Sequence, residues 1–493
     1  MVVWRTYVKK ILTSVNGFVW GAPALILILG VGLFLTIRLK AVQLRLLPKA
    51  LLHLTKHPEN KTGGISPARA LCTALAATVG TGNLVGVAGA ICLGGPGAVF
   101  WLWVCGLLGM AVKYAETVLA IRYREKTDDG FSGGPMYVMV RGLGEKFRPM
   151  AMVYCVLGVL AAFGVGNGVQ INSAVAGIRG MLGCFGLQLS GQGALWVGLA
   201  LAAVIGAVLF GGVKRIGAAA QRLVPVAAAG YVAMCLLVLG LNAKKIPEAV
   251  QSVLLGAFSP RAVTGGMIGG SFQALRIGCS RGIFTNEAGM GTASIAHACA
   301  DTPHPAEQGL LGILEVFLDT IVICTMTAFA ILVSGVSVPY GTDAGAALTE
   351  AAFSHALGSW ASAAIGVFLV LFALATVLGW GLYGARCAQF LFGESAWKGF
   401  CAAQIPVIVF SATVDSAALW QLSETVNGLM AIPNLITLAL LTPEVARLTI
   451  EYRKSDEKKV SGGTYANFHQ CKPLRTLSYE KVPPSGRSRQ ERG

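Results

Sequence analysis

Charge is what this sequence has least of. Only 13% of its 493 residues are charged, where a soluble domain carries roughly 25%. A soluble globular fold is excluded on that ground alone. The twelve cysteines form no Cys-x-x-Cys pair and lie mostly inside apolar stretches, so they read as small buried hydrophobes rather than a redox or zinc framework. There is no His-Glu-x-x-His, and His297 and His304 in "IAHACADTPHP" have no metal-ligand spacing around them. A Gly-Lys-Ser/Thr phosphate loop is missing, as is any nucleophile–base set. These absences argue against an enzyme and against a bound cofactor. Without an ATP-binding motif, uphill work must draw on an ion gradient.

What is present is apolar. Hydrophobic residues make up 55% of the chain, and Phe18 to Ile37 supplies twenty residues without a charge, the length a membrane-spanning helix needs at about 20 residues. That run is too long for a signal-peptide core and continues into the basic stretch Arg38 to Arg45, so it reads as a retained helix. Spans centre near residues 28, 80, 109, 164, 203, 231, 276, 322, 373, 406 and 429, which predicts about eleven. The fold class expected is therefore an all-α integral membrane protein.

The net charge of +16 is distributed as topology, not as a nucleic-acid patch. Basic residues gather in 38–69, 113–148, 214–222 and the tail after Ile450, whereas "CLGGPG" (92–97) and "SVPYGTDAGA" (337–346) have no Lys or Arg. The positive-inside rule puts the basic segments in the cytoplasm, the N-terminus outside and the C-terminus inside. The tail, 452–493, has little to bury and is expected to be disordered. The partner implied is a lipid bilayer; the localisation expected is the cell membrane, in bacteria the inner one.

After residues 1–67, with the first span and a basic loop, the remaining ten spans divide into 68–241 and 261–441. Five is odd, so the second half enters the membrane from the opposite side, the inverted-repeat plan of many transporters. The first helix of each half is rich in glycine: "TALAATVGTGNLVGVAGA" from Thr73 and "GGMIGGSFQALRIGCSRG" from Gly265. The first is not a dinucleotide loop. Its third glycine is displaced, since position 85 is valine, no strand precedes it, and after Glu59 the next acid is Glu116. In a bilayer, free backbone groups are tolerated only where they face protein or a polar cavity. A break at Gly80 to Gly82 frees amides for a carboxylate, and carbonyls around Ala76 to Val79 for a cation. That suits an amino-acid zwitterion with Na⁺. Close packing of two helices through small residues is the other reading.

The stretch "GTGNLVGVAGAICLGGPGAVFWLWVCGLLGMAVKYAE" resembles the alanine or glycine:cation symporter family, the sodium:alanine symporters. So do "SGGPMYVM" (132–139), "RGIFTNEAGMGTASIAHA" (281–298), "FLDTIVICTMTA" (317–328) and "LATVLGWGLYG" (374–384). The resemblance covers about 15–450. It implies sodium-coupled uptake of alanine, glycine or a similar small amino acid, on the leucine-transporter fold with an added N-terminal helix. It places the substrate carboxylate at the backbone amides of Thr81 and Gly82, after Gly80, with Asn83 and Thr78 beside it. It places Na⁺ on carbonyls of Ala76 and Val79 and on the ninth span around Phe372, Ala375 and Thr376; oxygen ligands fit a hard cation. Two departures stand out. Phe100-Trp101-Leu102-Trp103 replaces the usual Phe-Trp-Met-Trp, and Ala375-Thr376 replaces Ser-Thr, removing one hydroxyl.

Further polar residues lie inside the spans. Asn167 and Gln170, three apart, share a helical face and either bind the substrate amino group or glue helices together. Ser271, Gln273, Ile277 and Gly278 are expected to flank the second break, with Ile277 capping a pocket for a small side chain. Glu315 and Asp319 are intramembrane acids, open to a role in ion coupling or to pairing with Arg276 or Arg281. Lys113 and Glu116 read as a structural pair. The function expected is secondary symport by alternating access. A proton-coupled relative and an amino-acid sensor that moves nothing remain alternatives.

Overall fold

The structure, a computed structural model, describes residues 15–17, 19–54, 64–127, 130–266, 268–414 and 417–460. The expected tail from 461 on, and residues 55–63 of the basic loop, lie outside these. The described chain is helical except for one antiparallel hairpin, Glu125–Thr127 (β1) with Gly130–Ser132 (β2), in the register Glu125 to Ser132.

Helix α1 (Ala22–Arg38) starts at a proline and ends at a corner where Lys40 and Ala41 both take positive φ, 56° and 51°. Non-glycine residues in that region cost roughly 1–2 kcal/mol each. The corner bends the chain by 77° into α2 (Val42–His53). Gln43 holds it, donating to Thr36 Oγ1 at 3.0 Å and to the Leu107 carbonyl at 3.3 Å. Next come α3 (Pro67–Thr78), a π-helical turn Gly82–Gly86, and α4 (Val87–Gly94). The order continues with α5 (Ala98–Tyr123), α6 (Pro135–Leu143), α7 (Arg148–Phe163), a π-helical Gly164–Val169, α8 (Gln170–Gly183), α9 (Gly191–Leu209) and α10 (Gly212–Leu241). Then follow α11 (Ile246–Phe258), a short turn at Pro260–Thr264, α12 (Ser271–Asn286), α13 (Thr292–Ala298), α14 (Pro305–Val316), a π-helical Phe317–Cys324 and α15 (Thr325–Ser334). The chain closes with α16 (Gly345–Leu357), α17 (Trp360–Phe392), α18 (Ala396–Ser411) and α19 (Ala417–Val460).

Among the described residues, seven helices are long and apolar enough to cross a bilayer, or up to nine if each bent pair counts as one span. The shorter apolar α18 and the interrupted α12–α13 stand where two further spans are expected. Helices α11 and α16 occupy stretches the hydropathy pattern leaves between spans.

Polarity is arranged inside out. Leu33, Phe34, Trp196, Leu199 and Val204 are exposed, while Lys113, Glu116, Glu315, Asp319 and Asn83 are buried. A bilayer rewards apolar outer surface and confines polar groups to the protein interior. Val87, Ala88, Ile91, Val99, Leu102, Ile331 and Leu348 form one core cluster joining α4, α5, α15 and α16. Where α5 begins, the backbones touch. A Cβ on Gly97 would lie 2.0 Å from the Gly256 carbonyl carbon, so neither α5 nor α11 tolerates a side chain there. The chain forms two units, residues 1–449 and 450–493. The described part of the second is the end of α19, with an Arg453–Glu457 pair at 3.9 Å.

Candidate functional site at two helix breaks

The first break lies where the glycines predict it. Helix α3 stops at Thr78, Val79 is extended (φ −77°, ψ 93°), and the chain resumes as a helix bent by 50°. The break is held from within. The Gly80 amide donates to Asn83 Oδ1 at 2.8 Å, and the Asn83 amide returns to the Gly80 carbonyl at 3.2 Å. Asn83 Nδ2 donates to Asp319 Oδ1 at 2.7 Å and to the Asp319 carbonyl at 3.2 Å. Asn83 is therefore a clasp, its side chain bonded to Gly80 and Asp319. Thr78 is likewise tied to its own helix, its hydroxyl donating to Ala74 O at 3.2 Å.

Helix α17 faces this break. Gly379 lies against Ala77, and a Cβ on Gly80 would stand 2.5 Å from Thr376 Oγ1. Glycine at position 80 is thus called for by the close approach of Thr376. Thr376 and Gly379 face the end of α3, where Ala76 and Val79 sit buried, while buried Ala375 precedes Thr376 and Phe372 packs edge-on against Tyr231 of α10 at 5.9 Å. The Thr376 hydroxyl is buried and has no hydrogen-bond partner among the described residues. Both amide atoms of Asn167 are in the same condition. Gln170 Oε1 accepts from the Thr81 hydroxyl at 2.9 Å. Unsatisfied polar atoms inside a protein cost about 1–3 kcal/mol each, so the Thr376 hydroxyl beside Gly80 and the Asn167 amide are groups that a ligand or water would stabilise.

The second break corrects an expectation. Helix α12 runs unbroken from Ser271 to Asn286. Ser271 donates to Phe258 O at 2.6 Å and Gln273 to Leu93 O at 2.8 Å. Ile277 packs on Gly94, and Gly278 lies against Ala98 and Trp101. These four residues fasten α12 to α4, α5 and α11 and do not flank an interruption. The helix breaks instead at Glu287–Gly291, where Glu287, Gly289 and Gly291 take φ of 55°, 95° and 78°. The "GGMIGG" run only precedes the helix. The signal for the true break is "NEAGMG", whose glycines supply the positive φ at little steric cost.

Side chains from distant helices satisfy the opened backbone. Gly289 N–H donates to Glu116 Oε1 at 2.9 Å, Ala288 N–H to Asn286 Oδ1 at 2.9 Å, and the Tyr154 hydroxyl to Met290 O at 2.9 Å. Asn434 donates both to Glu116 Oε1 at 2.7 Å and to Gly289 O at 2.8 Å. The two breaks then meet. Asn286 Nδ2 donates to Thr320 Oγ1 at 3.0 Å, and the Thr320 hydroxyl to Asp319 Oδ2 at 2.9 Å. Asp319 takes the Asn83 clasp on its other oxygen. It sits on the π-helical Phe317–Cys324, and a Cβ on Gly82 would meet Thr285 at 3.2 Å.

Glu315, one turn before Asp319, has partners that sequence distance conceals. Its Oε1 lies 3.5 Å from Lys113 Nζ, and its Oε2 lies 2.9 Å from His297 Nε2. His297 Nδ1 meets the Gln308 amide at 2.8 Å, and Lys113 reaches Glu116 at 3.9 Å. Neither Arg276 nor Arg281 is the partner; Arg281 pairs with Glu424 at 2.6 Å and Asp343 at 3.5 Å. His304 caps α14, accepting from Ala306 N–H at 3.1 Å.

Solved structures share the architecture. MhsT in complex with L-phenylalanine aligns at a TM-score of 0.54 and 15% identity, covering 79% of this chain and 99% of that one. Mhp1, a nucleobase-cation-symport-1 family transporter, aligns at 0.51 and 13%, covering 80% and 96%. Both have the leucine-transporter fold, and the resemblance is one of fold. Sequence relatives are nearer. The sodium/alanine symporter AgcS of Methanococcus maripaludis is 42% identical over 91% of this chain and 99% of its own. A probable sodium/glutamine symporter, GlnT, of Bacillus subtilis is 37% identical over 90% and 91%. An uncharacterized transporter of Haemophilus influenzae is 42% identical over 90% and 96%. The sodium:alanine symporter family profile matches residues 5–465. The chain is a multi-pass membrane transporter, not an enzyme, and belongs to the sodium:alanine symporter family.

Proposed function

We propose that this transporter couples Na⁺ entry to uptake of a small amino acid, alanine or glycine, by alternating access. The observation that carries the reading is the buried, unpartnered Thr376 hydroxyl set against Gly80 at the first break. In this reading Na⁺ takes that hydroxyl, carbonyls of Ala76 and Val79, and oxygens near Phe372 and Ala375 on α17, since hard cations take oxygen ligands. The substrate carboxylate lies at the Thr81 and Gly82 amides, at the head of the second helix segment. Asn167, with both amide atoms unspent, meets the substrate amino group, and Gln170 orients Thr81. One bundle of helices rocks against the rest and opens this centre to each side in turn. The N-terminus faces outward and the C-terminus the cytoplasm, in a bacterial inner membrane.

The test is labelled alanine uptake by the purified protein in liposomes under an inward Na⁺ gradient, under a proton gradient without Na⁺, and under neither. Uptake with Na⁺ alone is expected. Uptake with protons alone would overturn sodium coupling and favour Asp319, a buried carboxylate without an ion pair among the described residues. A finer prediction concerns the missing hydroxyl. Ala375→Ser adds an oxygen beside Thr376 and is expected to lower the half-saturating Na⁺ concentration a few-fold while alanine affinity at saturating Na⁺ holds. An unchanged Na⁺ dependence would remove position 375 from the ion site.

A further inference from the structure

Helix α2 is built differently from the spans around it. At about 100° per residue, its twelve positions fall into three sectors. Val42, Gln43, Leu46 and Ala50 are buried against α5 and α14. Leu44 and Leu51 are 55% and 44% exposed, and half-buried Leu47 extends their row on the far side of Leu51. Arg45 and Lys49 form the third sector, with Arg45 exposed, and His53 falls between Val42 and Leu46 on the buried side. Arg38 and Lys40, both exposed, stand at the corner that leads in. No acidic residue precedes Glu59 in the sequence.

The 77° bend explains why three sectors are needed. If α1 crosses the bilayer, α2 lies close to the membrane plane at the face where α1 ends. A helix in that position meets protein on one side, acyl chains on a second and headgroups on a third. The leucine row is the acyl-facing side, and the basic row with the corner is the headgroup side. We infer that α2 and its corner form a binding site for anionic phospholipid, with Arg38, Lys40 and Arg45 on the headgroup and Leu44, Leu47 and Leu51 on the chains. The charge complementarity selects the lipid, because a zwitterionic headgroup offers no net attraction to three cations. The corner at Lys40 and Ala41, held by Gln43, joins the end of α1 that carries Arg38 to the start of the helix that carries Arg45.

The experiment reads lipid retention by the full chain in detergent, using labelled phosphatidylglycerol against labelled phosphatidylcholine, at low and high salt. The expected result is preferential retention of phosphatidylglycerol that falls as salt screens the cations. Lys40→Gln with Arg45→Gln should reduce the preference several-fold, and Leu44→Ser with Leu51→Ser should weaken retention of both lipids. Thermal unfolding of each variant shows that it is folded. Equal retention of the two lipids by the wild-type chain overturns the proposal. So does a preference that survives the Lys40 and Arg45 substitutions. Neither outcome depends on which ion or amino acid is transported.

Discussion

Asn83→Ala is expected to lower alanine uptake on the order of a hundredfold, the loss associated with misplacing a reacting or binding geometry by about 1 Å. The side chain does three jobs at once. It accepts from the Gly80 amide, donates to the Asp319 carboxylate and donates to the Asp319 carbonyl. Alanine leaves the Gly80 N–H, Asp319 Oδ1 and the Asp319 carbonyl without those bonds, and a buried polar group left unsatisfied costs about 1–3 kcal/mol. Relaxation then closes or twists the break that presents Thr81 and Gly82. Asn83→Asp keeps the acceptor for Gly80 but sets a second carboxylate against Asp319, so it should fail too. Combining Asn83→Asp with Asp319→Asn restores a donor–acceptor pair in the reverse sense and should recover part of the uptake. Uptake in proteoliposomes decides, with gel filtration to show that each variant is folded. Wild-type uptake by Asn83→Ala would show that the clasp is dispensable.

The spans were legible because uncharged runs of bilayer length are hard to mistake, and the first break because Gly80 and Gly82 flank a single threonine inside one such run. The second was misplaced because glycine density points at "GGMIGG", while the backbone turns at Glu287–Gly291. One of its three positive-φ residues is a glutamate, which composition does not flag. The glycines tie Asn83 to the break, but not to its protein partner. Its actual bond to Asp319 spans 236 positions, and no local pattern encodes such a contact. The same holds for Glu116 and Asn434, separated by 318 positions, and for the pairing of Glu315 with Lys113. Helix α2 was hidden differently. Its basic residues read as a topology marker, and the three-way division of its faces emerges only when the direction of α5 and α14 is known.

Lys113 should be the least replaceable charge in the transporter. It is fully buried on α5 and is the cation within reach of Glu315 at 3.5 Å and Glu116 at 3.9 Å. Lys113→Met keeps much of the side-chain length but strands two carboxylates, and breaking a buried pair in this way costs about 3–5 kcal/mol. That is a large part of the 5–15 kcal/mol typical of a folded protein's whole margin, so a steep fall in yield and in unfolding temperature is expected. The companion variant separates charge from volume. Glu315→Gln in the Lys113→Met background removes the surplus negative charge and still offers His297 an amide partner, so it should regain much of the lost stability. Thermal unfolding in detergent compares wild type, single and double variants. Equal losses in single and double would mean that Lys113 serves by its packing. A Lys113→Met protein as stable as wild type would mean that the carboxylates are neutral in the membrane and need no cation. Recovery in the double variant would identify the ion pair as the fastening between α5, α14 and the second break, since Glu116, the other carboxylate Lys113 approaches, is the group that accepts the Gly289 amide.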